Sequence, residues 1–254
     1  MKVDFGKTSD DYALHRSGFP ASFYETLTDM GITVTGALLL DVGTGTGTLA
    51  RGFAKRGASV IAIDPSVEML HQAAKLGEAN HIEFREGTAE ATGCEAGSLD
   101  IAAAGQCWHW FDRSAAATEL YRVLKPGGWL VIAHFDWIPL PGNVANLTEA
   151  LIRRFNPEWR FHGGHGVYPH WLTDAAIAGF VDIRTRTYDE GAVYSHQAWR
   201  GRVRASAGIA ASLAPGDVKA FDTALAKALT SDFPTDPLTV HHRISTLVAR
   251  KPAA

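Results

Sequence analysis

The sequence has little cysteine. Two residues in 254, Cys94 and Cys107, cannot make a disulfide framework. A chain with reduced thiols in the cytoplasm is the expectation that follows. The sequence also lacks any run of about 18 apolar residues, so no membrane span is expected. Its opening, M-K-V-D-F-G-K-T-S-D-D, has no apolar signal core. Basic charge is not in excess: 24 Lys and Arg stand against 27 Asp and Glu, and the net charge of -3 argues against a nucleic-acid surface. No internal repeat or low-complexity segment occurs. His162, His165 and His170 have no cysteine or acidic partner, and the glycines between them fix no geometry, so no metal site is expected. The spacing G-x-G-x-x-G, which lets a helix N-terminus meet a pyrophosphate, is absent as well.

What is present is concentrated between Leu38 and Asp64. Leu38, Leu39 and Leu40 form a short apolar run ending at Asp41, as a strand buried on both faces would. Gly43, Gly45 and Gly47 follow at alternate positions, where a tight turn without Cβ atoms can lie under a ligand. Leu49, Ala50, Phe53 and Ala54 fall at helical spacing, and Gly57 is placed to end that helix. Ser59 to Ile63 is a second apolar strand, with Asp64 at its C-terminal end. This is a β-α-β unit with a glycine turn and a carboxylate about 20 residues on, where an acid can accept hydrogen bonds from two ribose hydroxyls. A structural turn beside a surface Asp is the plainer alternative.

The segment Asp41 to Gly47 reads D-x-G-x-G-x-G, which resembles the first motif of class I S-adenosylmethionine-dependent methyltransferases. The resemblance extends over about residues 36 to 137. It implies S-adenosyl-L-methionine as cofactor, with Asp41, Gly43 and Gly45 in the cofactor turn and Asp64 at the ribose. Pro65, Ser66 and Met69 would then lie against adenine, although Met69 can equally be core. Gly87 to Glu90, G-T-A-E, resembles the family's adenine-edge loop and puts Thr88, Ala89 and Glu90 at the matching positions. Thr88 stands where the family often has Asp or Asn. L-K-P-G-G, from Leu124, resembles the third motif, a turn into a buried strand. D-Y-A-L-H-R-S-G-F-P, from Asp11, is similar to the Y-x-x-x-R-x-G-Y-P opening of many small-molecule methyltransferases. There the first helix is a lid, and the likeness implies that Tyr12 and Arg16 reach the cofactor.

Past the fourth strand, Ile101 to Gly105, comes Q-C-W-H-W-F-D, Gln106 to Asp112. This phrase looks like the Q-A-x-H-W-F-D of proteins related to trans-aconitate methyltransferase. Side chains at such a strand end project into the ligand crevice. Gln106 is therefore a cofactor candidate, and Trp108 and His109 are acceptor candidates. The aromatics can instead be core for the next helix, which Asp112 would cap. His134, Phe135 and Trp137 sit at the exit of the fifth strand, beside the expected acceptor pocket. Phe161 to Trp171 reads as a mobile loop. Arg200 and Arg204 could hold an acidic acceptor or form a solvated face.

These readings add up to one α/β domain over residues 1–254. Its expected core is a doubly wound, mostly parallel seven-stranded sheet. A small helical cap would come from an N-terminal lid, 1–35, and an insertion, 138–180. The resemblance implies methyl transfer from S-adenosylmethionine to a small-molecule acceptor, at oxygen or nitrogen, with a carboxylate or an aromatic compound among the options. His109 is the first candidate base, with His134 and Tyr12 behind it. A monomer or homodimer is expected. A nicotinamide-dependent oxidoreductase and a non-catalytic S-adenosylmethionine-binding protein are the alternatives.

Overall fold

The computed structural model describes residues 11, 14, 15, 18–76 and 81–253. Helix α1 is Ala21–Asp29 and is followed by β1, Leu38–Val42, α2, Thr48–Ala54, and β2, Ser59–Asp64. Then come α3, Val67–Lys75, β3, Ile82–Glu86, β4, Leu99–Gly105, α4, Arg113–Val123, and β5, Leu124–Trp137. The chain continues with α5, Val144–Phe155, α6, His170–Ile177, β6, Val181–Tyr194, α7, His196–Arg204, α8, Pro215–Asp232, and β7, Leu238–Arg250.

The strands form one seven-stranded sheet in the order β3-β2-β1-β4-β5-β7-β6. β1 pairs in parallel with β2 and β4, β2 with β3, and β4 with β5. The chain steps outward from β1 to β3 and then returns to place β4 on the other side of β1. That reversal is the topological switch point where open α/β sheets take their ligands. The apolar composition of the central strands follows from cover on both faces: Leu39, Leu40, Val42, Leu99, Ala102 and Ala103 are all fully buried.

Two compact units divide the chain. One comprises residues 18–135, 167–187 and 244–254, the other residues 1–17, 136–166 and 188–243. The first unit's core gathers Leu40, Val42, Ile63, Trp108, Leu120 and Ile132, joined by Trp171, Ala175 and Phe180. The second unit's core is built on Trp159, Trp199, Ile209, Phe221, Leu225 and Val240.

Several helices start at the side-chain caps their residue types favour. Ser66 accepts from the Met69 amide at 3.3 Å, Asp112 from Ala115 at 3.1 Å and Asn143 from Asn146 at 2.8 Å. One expectation changes. The stretch expected to be a loop as far as Trp171 instead enters helix α6 at His170, with Trp171 buried. No helix among the described residues is long and apolar enough to cross a membrane.

Candidate active site

β1 ends at Val42, and the next turn places Gly43, Gly45 and Gly47 at φ of +64°, +56° and +76°. These are left-handed conformations that disfavour a side chain. At Gly43 space is also short: a Cβ there would lie 3.0 Å from the Cys107 Cβ and Sγ atoms and 3.1 Å from Phe111. The turn is therefore roofed directly by the segment after β4.

Asp64, at the end of β2, is tied to that turn. One oxygen accepts from the Gly45 amide at 2.8 Å and the other from the Ser66 amide at 2.9 Å. Burial raises its pKa above the ordinary carboxylate value, and the two amide bonds partly offset this. Thr46, fully buried in the same turn, has a hydroxyl with no protein partner among the described residues. A backbone cradle with glycine at every second position, an unmatched hydroxyl and a carboxylate with spare lone pairs fit a nucleoside with a polar tail.

Asp41 is placed differently from the other turn residues. It is sealed inside, accepts from the Thr44 hydroxyl at 2.6 Å, and has its pKa raised to about 7, chiefly by burial. It shapes the turn from beneath. A folded-state value above the unfolded one means that this group's contribution to stability is complete below about pH 4. The contribution is lost as pH rises through about 7. Asp41→Asn keeps an oxygen for Thr44 and removes the titration. Its melting temperature should therefore gain on wild type between pH 5 and pH 8, as thermal unfolding across that range would measure.

The adenine-edge candidates occupy a short turn after β3, closed by a Thr88–Ala91 bridge. Thr88 is exposed, Ala89 is buried, and the Glu90 carboxylate accepts from the Asp112 amide at 2.9 Å. Met69 is buried in α3 and Pro65 is exposed ahead of it. Tyr12 and Arg16 lie outside the described residues.

β4 delivers the second half of the site. Gln106 has φ of +61°, an uncommon value for a side chain that is not glycine and one that gathers at functional sites. It is held by its amide on the Ala133 carbonyl at 2.8 Å and by its side-chain nitrogen on the Phe135 carbonyl at 3.1 Å. A 3-10 turn, Trp108–Trp110, follows. At about three residues per turn its side chains splay apart. Trp108 is fully buried, His109 half-buried, and Trp110 is 39% exposed. Of the two readings of Trp108, acceptor side or core, its burial matches the core one, and its indole nitrogen donates to Asp174 at 3.1 Å. The His109 ring lies 4.7 Å from Trp110 and 5.2 Å from His134. His134 is buried against Tyr168 and Trp171, each 4.8 Å away, and Phe135 is buried 6.3 Å from Phe19.

The remaining acceptor candidates belong to the other unit and are engaged there. Trp137 donates to Glu149 at 2.8 Å and stands edge-on to Trp199 at 5.3 Å. Arg204 forks onto Asp11 with two bonds of 2.8 Å and reaches Asp222 at 2.7 Å, and Arg200 also pairs with Asp222. Their guanidinium groups are engaged in an internal ion-pair network. Among the described residues no cluster of His, Cys, Asp or Glu is placed to hold a metal ion. Asp174 and Tyr168 were not among the sequence candidates, and no local pattern marks them.

Glycine turn, ribose-spaced acid and switch point together define a nucleoside-binding, doubly wound α/β protein. A family model described as a methyltransferase domain matches residues 40–132. An uncharacterised methyltransferase of Schizosaccharomyces pombe is 37% identical over 189 residues, which is 73% of this chain and 71% of that protein. Another, from Mycobacterium tuberculosis, is 34% identical over 157 residues, 62% of this chain and 62% of that one. The solved structure of an Anaeromyxobacter dehalogenans protein assigned as a type II methyltransferase covers 94% of this chain and 99% of its own. Its TM-score is 0.65 at 22% identity, a likeness of fold. The chain belongs to the class I S-adenosylmethionine-dependent methyltransferases. Its reaction is transfer of the cofactor's methyl group to an acceptor.

Proposed function

We propose that Asp64 receives the ribose hydroxyls of S-adenosylmethionine, that Thr88 to Glu90 meet the adenine edge, and that Gln106 and His109 serve the reacting end. The observation that carries this reading is the state of Asp64. Each of its oxygens already accepts one backbone amide. A carboxylate has about four lone-pair sites, so roughly two remain, one for each hydroxyl. When bound, the cofactor supplies a methyl group on a sulfonium and a thioether as leaving group.

The chain's residues then have two tasks, alignment and, for an acceptor with a high pKa, removal of a proton. His109 can take that proton at a ring nitrogen. Trp110 beside it supports an acceptor with a flat, π-rich face. The net charge of -3 supports a partner other than nucleic acid.

A thermal-shift assay tests the cofactor site. S-adenosylhomocysteine at about 100 times its dissociation constant should stabilise the fold by about 2.7 kcal/mol. For a chain of this size that is a rise of roughly 5–10 °C. NAD should produce none. A rise with NAD and none with S-adenosylhomocysteine would overturn the assignment of the turn.

A further inference from the structure

We infer that Asp174 is a positioning residue that sets where the His109 ring stands. The inference rests on the reading of His109 as the acceptor-side residue, and its test is built so that the two can fail separately. Asp174 lies 66 residues beyond Trp108 in the chain, on helix α6. Its Oδ2 accepts from the Trp108 indole nitrogen at 3.1 Å and lies 3.2 Å from Arg113 Nε. Trp108 and Arg113 flank His109 on either side, one inside the 3-10 turn and the other opening α4.

Trp171 is one helical turn before Asp174, so both fall on the same face of α6. Trp171 packs 4.8 Å from the His134 ring and stacks on Tyr168 at 3.9 Å. That one face therefore braces both supports of His109: the β4-exit turn through Asp174 and the β5-exit histidine through Trp171. The turn itself is only three residues long. Its backbone closes through Trp110 onto Cys107 at 2.8 Å and Phe111 onto Trp108 at 3.4 Å. A single short turn does not fix a ring's direction, whereas a fully buried indole held by a carboxylate does. Of the two contacts on Asp174 the indole bond matters more. The Arg113 side chain is 43% exposed, and ion pairs in that setting contribute little.

The test compares three variants in the full chain, with S-adenosylhomocysteine bound for spectroscopy and S-adenosylmethionine as donor for turnover. Histidine side-chain NMR reports the His109 ring, assigned with His109→Gln. Asp174→Ala should move the His109 ring signals and slow methyl transfer by roughly 10–100-fold, the scale of a small misplacement of a reacting group. S-adenosylhomocysteine affinity should stay within about twofold, a limit that a general loss of structure would break. Asp174→Asn, whose oxygen can still accept from the indole, should restore both signals and rate. Arg113→Gln should leave both unchanged.

Should Asp174→Ala fail to fold, Asp174→Glu displaces the carboxylate by one methylene and is read in the same way. Unmoved His109 signals in Asp174→Ala overturn the inference, as does an Arg113→Gln variant that reproduces its effect. Displaced signals with an unchanged rate uphold the positioning and remove His109 from the reaction.

Discussion

Asp64→Ala is expected to weaken S-adenosylhomocysteine binding by roughly tenfold or more while the protein remains folded. Hydrogen bonds to a charged group contribute about 1.5–3 kcal/mol, and about 1.4 kcal/mol is tenfold in affinity. The substitution also frees the Gly45 and Ser66 amides, so part of the loss would come from a slacker turn. A 2′-deoxyribose analogue of S-adenosylhomocysteine separates the two contributions. In wild type the analogue should bind more weakly than the parent. In Asp64→Ala the two should bind alike, because the group that distinguishes them is gone; this is the logic of a double-mutant cycle. Burial raises the Asp64 pKa, and hydroxyl donors favour its ionised form, so affinity should fall as pH is lowered through the carboxyl's titration. Isothermal calorimetry measures both trends. If the analogue stays distinguishable from the parent in the variant, the ribose lies elsewhere.

The part of the site around Asp64 was legible in the sequence because its determinants are local. A doubly covered parallel strand has to be an unbroken apolar run, and Leu38 to Leu40 followed by alternate glycines leaves few other readings. The cap at Asp112 was legible for the same reason, since a cap bonds an amide three residues away. The tryptophans after β4 were not. Which of Trp108 and Trp110 is buried depends on a 3-10 turn against an α or extended conformation, and composition cannot distinguish these.

The partners of Arg200 and Arg204 were not legible, because Asp222 lies 22 and 18 positions away and Asp11 lies 193. A guanidinium's function depends on which carboxylate the fold brings to it. Asp174 was invisible for the same reason. It is an ordinary helix carboxylate until Trp108, 66 residues away, is folded beneath it.

His109→Ala is expected to lower turnover by about 10²–10⁴ if the imidazole removes a proton from the acceptor, the usual contribution of a positioned general base. S-adenosylhomocysteine affinity should barely change, because Asp64 and the glycine turn do not depend on this ring. The two nearby histidines are placed for different tasks. His109 is half-buried at a turn, whereas His134 is 3% exposed beneath Tyr168 and Trp171. Only His109 keeps surface to offer an acceptor, and His134 braces it 5.2 Å away.

Base catalysis also predicts that wild-type turnover declines as pH falls and the imidazole takes up a proton. His109→Gln then separates chemistry from alignment. Its amide can hydrogen-bond an acceptor but cannot carry the proton away, so the variant should be as slow as His109→Ala. Near-normal turnover in His109→Gln with a flat pH profile would remove the base and leave a ring that only orients the acceptor. The chemistry would then point to an acceptor that ionises unaided, such as a carboxylate. It could not be held by Arg200 and Arg204 while Arg200 stays paired with Asp222 and Arg204 with Asp222 and Asp11.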